Sequence, residues 1–117
     1  MKVNHMVQFG STALDTSFGA LADPTRRGIL EHLGRGDASI TDLAASFDMT
    51  LTGMKKHVSI LEETGLVATE KVGRVRQCKL GPRRLADESA WIERFRRMQE
   101  DRFDRLGAFL ERTKADR

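Results

Sequence analysis

The stretch Ile40-Thr-Asp-Leu-Ala-Ala-Ser-Phe-Asp-Met-Thr-Leu-Thr-Gly-Met-Lys-Lys-His-Val-Ser-Ile-Leu-Glu-Glu-Thr-Gly-Leu-Val67 reads as two short helices joined by a tight turn, the second helix carrying a basic outer face. Ser39-Ile-Thr-Asp42 has the form of a capping box, with Asp in place of the usual Glu, and opens a helix that buries Ile40, Leu43, Ala44 and Phe47. Asp48-Met49 makes the turn. Thr50 is an N-cap for the next helix, and Met49 and Met54 are spaced as a hydrophobic staple across its first turn. On that helix Thr52, Lys55, Lys56 and Ser59 fall to one side and Met54, Val58 and Leu61 to the other, so the apolar stripe can be buried while the polar edge enters a DNA groove.

Upstream, residues 1–13 show little periodicity and are expected to form a flexible arm. Leu14, Phe18, Leu21 and Ala22 then recur at helical spacing until Asp23-Pro24, an N-cap followed by proline at the first helical position. The second helix points Ile29, Leu30 and Leu33 inward and ends at Gly34 to Gly36. Downstream, the recognition helix stops at Gly65. Val67–Lys71 and Arg74–Leu80 flank Val72-Gly73 as the arms of a hairpin, a wing, closed by Gly81-Pro82. A long last helix runs from about residue 84, with Ile92, Phe95, Phe103, Leu106 and Leu110 on one stripe and Trp91, Met98 and Phe109 beside it. The expected fold is mainly α with a small β-hairpin wing, in the order α-α-α-α-β-β-α. It forms a single winged helix-turn-helix domain over 14–117.

Composition narrows the function classes. A chain of 117 residues that is 39% hydrophobic builds a modest core, and a second copy would add to its stability. From Thr50 to Arg84 there are eight lysines and arginines against three glutamates, a net of +5, which leaves −2 for the rest of a chain whose total is +3. A basic segment on a nearly neutral body suits a surface that meets a polyanion. No run approaches the roughly 18 apolar residues of a membrane span, and no apolar leader follows the first lysine, so a cytoplasmic protein without membrane contact is expected. The one cysteine, Cys78, excludes an internal disulfide and fits a reducing compartment. Catalysis finds no support. Asp87-Glu88 and Glu100-Asp101 lie on a helix laced with arginines, and Gly34-Arg-Gly36 is too short and misplaced for a phosphate loop.

Three segments carry a family resemblance: Leu21-Ala-Asp-Pro-Thr-Arg-Arg-Gly-Ile-Leu30, Ser39-Ile-Thr-Asp-Leu-Ala44, and Met49 through Val67. With the final helix they cover nearly everything after Leu14, and they resemble the ArsR-type bacterial regulators. The likeness is nearest to the metal-independent branch, whose LADPTRR opening and aromatic, arginine-rich last helix this sequence shares. The resemblance implies a homodimer joined through the first and last helices, here through Leu14, Phe18, Leu21, Trp91, Ile92, Phe95, Phe103, Leu106 and Leu110. It implies a repressor on double-stranded DNA at an imperfect palindrome, with its own operon a candidate target. Relatives commonly read closer to Ala-Val-Ser-Lys-His-Leu where this chain has Gly53-Met-Lys-Lys-His-Val58, which places a second lysine where a serine is usual.

The candidate DNA ligands are Thr50, Thr52, Gly53, Lys55, Lys56, His57 and Ser59 on the recognition helix and Arg74 and Arg76 in the wing. Thr50 and Thr52 sit where helix N-H groups and hydroxyls meet phosphates or base edges, and the lysines can reach phosphates or the O6 and N7 atoms of guanine. Gly53 admits either a close backbone approach to DNA or simple drift. His57 lies between the buried stripe and the lysine face, open to a phosphate contact or to a half-buried packing role. Arg74 and Arg76 lie nearer the wing tip than Lys79, and arginine suits narrow minor grooves. Many relatives sense metals through cysteines on the helix that here spans Ile40 to Phe47, or through Asp and His clusters on the last helix. Cys78, His5, His32 and His57 are scattered by comparison, so neither a metal nor a cofactor is expected. The alternatives are a metal- or redox-responsive repressor with a non-standard site and a winged helix that contacts only protein.

Overall fold

The computed structural model describes residues 12–83 and 85–115. Its elements run α1 (Thr12–Leu21), α2 (Pro24–Arg35), β1 (Ala38–Ser39), α3 (Ile40–Ser46), α4 (Leu51–Glu63), β2 (Val67–Val72), β3 (Val75–Leu80) and α5 (Ala86–Ala115). The expected order stands, with one addition. Ala38 and Ser39 pair antiparallel with Cys78 and Gln77, making a three-stranded sheet in the order β1-β3-β2. Two residues are too few to show a period in sequence. The chain divides between residues 84 and 85 into two compact units. Most of the expected N-terminal arm lies outside the described residues, and its last two positions, Thr12 and Ala13, already belong to α1.

In the first unit the caps act as the sequence foretells. The carboxylate of Asp23 accepts from the Arg26 N–H at 3.0 Å, Ser39 Oγ from the Asp42 N–H at 3.0 Å, and Thr50 Oγ1 from the Gly53 N–H at 3.0 Å. Each satisfies one of the four orphan donors at a helix start. The core forms where α2, α3 and α4 meet the sheet, with Ile29, Leu43, Met54, Val58, Leu61, Val67 and Cys78 almost wholly buried. Leu30 and Phe47, expected inside, are only half-buried. On α1 the fully buried residues are Ser17 and Ala20 rather than the large apolar set, and Leu14, Phe18 and Leu21 are half-buried. The Ser17 hydroxyl donates to the Ala13 carbonyl one turn back, which satisfies it where it is buried.

Both helix ends of the helix-turn-helix close in the same way. After α4, Gly65 takes φ +77° and its N–H donates to the Glu62 carbonyl while Leu66 donates to Leu61, the paired bonds of a Schellman cap. After α3, Asp48 takes φ +53°, with Asp48 donating to Ala45 and Met49 to Ala44. The second closure is the tight turn, and a left-handed aspartate drives it. The wing turn sits one residue later than expected. Val72 pairs with Val75, so Gly73 and Arg74 form the two-residue loop, and Gly73 has φ +67° at the first loop position, where a type II′ turn needs a left-handed residue.

The second unit is dominated by α5, whose 30 residues span about 45 Å. Trp91 and Phe95 stack with ring centroids 5.7 Å apart, and Glu93 pairs with Arg96 and Arg97 along the polar flank. Its aromatic and aliphatic residues are exposed, from 43% for Trp91 to 68% for Phe103. Among the described residues no helix is long and apolar enough to cross a membrane.

Candidate nucleic-acid interface

Helix α4 owes its two-sidedness to Met54, Val58 and Leu61, which anchor one stripe in the core and thereby turn the rest of its circumference outward. Thr50, Thr52, Lys55, Lys56 and Ser59 are all exposed. They form two edges rather than one. Thr52 and Lys56, one turn apart, share an outer edge, while Lys55 and Ser59 turn toward the wing.

Between that second edge and the hairpin lies an open cleft of about 260 Å³ lined by Ile40, Thr41, Leu51, Lys55, Lys71, Arg74, Val75 and Arg76. A neighbouring hollow of about 280 Å³ adds Ser59 and Glu62. Four cations, one from α4 and three from the hairpin, thus converge on one concavity, a charge arrangement that raises local phosphate concentration. Lys71 was not among the sequence candidates. The register could have found it, because Lys71 is the cross-strand partner of Arg76 and shares its face of the sheet.

The two wing arginines differ. Arg74 is in the turn itself. Arg76 is on the stem, where one of its amino nitrogens donates to Thr69 Oγ1 at 2.9 Å and the Thr69 hydroxyl donates in turn to Glu62 Oε2 at 2.6 Å. This chain ties the stem to the last turn of α4 and holds the Arg76 guanidinium over the cleft, while its remaining N–H groups stay available. Of the two arginines expected near the wing tip, Arg74 is at the tip and Arg76 is two residues down the strand.

At the start of α4, the exposed Thr50 uses its oxygen as a cap acceptor, which leaves its hydroxyl proton to donate outward. A Cβ on Gly53 would come within 3.1 Å of Thr50 Oγ1 and 3.4 Å of Met49 Cε, so the glycine gives the cap and the staple room. That third reason supplements the two that sequence suggested.

His57 points elsewhere. Its Nδ1 lies 3.2 Å from an amino nitrogen of Arg26 and 3.9 Å from Asp23 Oδ2, with 21% of the side chain exposed. The same Arg26 donates through Nε to the Ala20 carbonyl at 2.9 Å and through its other amino group to the Gly19 carbonyl at 3.2 Å, while Arg27 donates to the Leu21 carbonyl at 2.7 Å. The two arginines after Pro24 therefore cap the C-terminus of α1, whose carbonyls lack helical partners. The Arg26 N–H bond holds the Asp23 carboxyl below the usual carboxylate range, outweighing its partial desolvation, with the Arg26 charge adding to the effect. No local sequence signal announces this cluster.

Cys78 is completely buried under the sheet, and desolvation pushes its thiol above the usual range. A thiol in that state is neither nucleophilic nor reachable by a second copy. Among the described residues no three His, Cys, Asp or Glu side chains gather in an arrangement able to hold a metal ion.

Residues 21–70 match a helix-turn-helix domain family. The transcriptional repressor SdpR of Bacillus subtilis is 29% identical over 82 residues, 70% of this chain and 91% of that protein. The HTH-type transcriptional regulator Rv2034 of Mycobacterium tuberculosis is 32% identical over 81 residues, 69% of this chain and 76% of the relative. Among solved structures, an ArsR-like transcriptional regulator from Rhodococcus sp. RHA1 superposes with a TM-score of 0.66 at 32% identity, covering 80% of this chain and 89% of its own.

Proposed function

We propose that this chain, which belongs to the ArsR family of helix-turn-helix transcriptional regulators, acts in the cytoplasm as a homodimeric repressor at an imperfectly palindromic operator. The observation that carries the proposal is the convergence of Lys55, Lys71, Arg74 and Arg76 on one cleft beside the exposed Thr52–Lys56 edge. A duplex fits that pairing of helix and hairpin. The outer edge of α4 enters the major groove, with Thr50, Thr52 and Lys56 against phosphates and base edges and the Gly53 backbone close behind them, while Lys55 and Ser59 meet phosphates on the side that faces the wing. The wing lies along the backbone, with Arg74 reaching the flanking minor groove.

Dimerisation places two copies of α4 about 34 Å apart, one duplex turn. Support comes from α5, where Trp91, Ile92, Phe95, Phe103, Leu106 and Leu110 form a band of exposed apolar side chains too continuous for a solvated helix, and from the half-buried Leu14, Phe18 and Leu21 of α1. Covering that band with a second copy removes it from water and yields the two-fold symmetry a palindrome requires. Release of the repressor proceeds without bound metal and without Cys78, whose burial withholds the thiol.

The experiment is a binding titration on DNA upstream of the protein's own gene across a salt series. The dimer's affinity falls steeply with salt, and Lys55→Ala or Lys56→Ala weakens binding and lowers the log–log slope by about 1.8, since each removes two phosphate contacts per dimer. Zinc, cadmium, nickel or arsenite leaves the complex intact. Binding that ignores both salt and the two lysines refutes the proposal.

A further inference from the structure

Arg26 is the one described side chain that hydrogen-bonds to both α1 and α4. Its Nε and one amino group hold the Ala20 and Gly19 carbonyls at the end of α1, and its other amino group meets His57 on α4. A guanidinium has donors only, so His57 Nδ1 must accept, which fixes the ring as the Nε2–H tautomer. Asp23 completes the cluster, accepting from the Arg26 backbone and standing 3.9 Å from the imidazole. Around the helix His57 is roughly 100° from Lys56 and 200° from Lys55, on the border of the buried stripe and away from the cleft.

We propose that His57 is a positioning residue rather than a DNA ligand, and that the Arg26–His57 hydrogen bond transmits the placement of α1 to the recognition helix. The inference rests on the operator-binding function above and deepens it. Helix α1 carries Leu14, Phe18 and Leu21, the first-helix part of the dimer face, so a shift of α1 on dimerisation or release pulls its terminal carbonyls against Arg26. The arginine cannot follow α1 without drawing on the imidazole. The Glu62–Thr69 hydrogen bond joins the last turn of α4 to the wing, whereas the Arg26–His57 bond is the directional contact that ties the middle of α4 to the end of α1 and so bears on its rotation relative to that helix. The charged groups beside the ring are Asp23, the N-cap of α2, and Arg26 in its first turn.

Two measurements test the proposal. In ¹⁵N NMR of the free protein, His57 shows the Nε2–H tautomer, and Arg26→Met, which keeps the stem and removes the donors, shifts its Nδ1 resonance. In salt-series titrations on the upstream DNA, Arg26→Met and His57→Gln each weaken binding about fivefold with the wild-type salt slope, and the double variant is no weaker than either single one. His57→Gln serves as the milder variant should loss of the α1 cap unfold Arg26→Met. A salt slope lowered by about 1.8 in His57→Gln marks His57 as a phosphate ligand and overturns the proposal. Ring resonances indifferent to Arg26→Met, or losses that multiply in the double variant, overturn it as well. A wild-type protein that ignores the DNA at every salt concentration refutes operator binding instead, and the ring spectra then decide the Arg26–His57 link alone.

Discussion

Replacing Gly81 by alanine should damage this fold more than any other single methyl group. Gly81 leaves the end of β3 against the left-handed cap of α4, donating its N–H to the Leu66 carbonyl at 2.8 Å. A Cβ there would overlap the Gly65 carbonyl oxygen and sit 2.9 Å from that carbonyl's carbon and 3.1 Å from the carbonyl carbon of Leu66. Every one of those atoms is backbone, so no rotamer change relieves the clash. The two segments must separate by about 1 Å, at the 1–3 kcal/mol typical of overpacking. Separation also weakens the 2.8 Å bond, a further loss of about 1 kcal/mol or more. The expected total is about 3 kcal/mol, or about 12–24 °C in Tm for a unit of this size. Gly65→Ala is the control. Its methyl has space, with nothing nearer than 3.6 Å, and it meets only the left-handed φ penalty of about 1–2 kcal/mol. Urea denaturation followed by circular dichroism at one fixed protein concentration ranks the two, since the proposed dimerisation would make midpoints concentration-dependent. A Gly81→Ala protein within about 1 kcal/mol of wild type would mean that the hairpin base is not locked to the recognition helix as described.

Three further outcomes are expected. Asp48→Gly removes a non-glycine residue from φ +53° and raises stability by about 0.5–1 kcal/mol, seen as a Tm increase of a few degrees; a decrease would show that the aspartate side chain holds the turn. Cys78 resists alkylation at pH 8 until denaturant unfolds the chain. Because burial raises its folded pKa, its contribution to stability is complete below the unfolded thiol's pKa and fades as pH climbs toward the folded value; rapid labelling of native protein, read by mass spectrometry, would contradict the burial. Phe95→Glu combined with Leu106→Glu, at sites 45% and 53% exposed, leaves helicity unchanged but yields monomers at micromolar concentration in light scattering, and persistent dimers would move the interface elsewhere.

What the sequence discloses and what it conceals follow from the range of each interaction. Asp23, Ser39 and Thr50 announce helix starts because a cap and the N–H it binds lie three residues apart. The apolar stripe of α4 is equally plain, and with it the exposed Thr52, Lys55, Lys56 and Ser59. Burial on α1 is less legible, since Ser17 and Ala20 go inside because they are small enough for a close helix approach, and hydrophobicity does not report size. The two residues of β1 carry no period. Arg26 and His57 are 31 positions apart, so nothing local distinguishes an arginine that caps one helix and steadies another from an ordinary surface charge. Lys71 and the stem role of Arg76 depend on hairpin register: a turn at Gly73-Arg74 instead of Val72-Gly73 moves each cross-strand partner by two residues and pairs Lys71 with Arg76 rather than Arg74.

Strand β1 meets β3 only at Gln77 and Cys78, a clamp beyond which, toward the tip, the two arms pair as strands only with each other. Lengthening each arm by one residue past that clamp would carry the tip about 3.4 Å farther out and turn its terminal side chains to the opposite surface, whereas two residues per arm would restore their original facing. The reach of the wing is therefore adjustable in paired steps without disturbing the helices beneath it, so that its length and the body can vary independently.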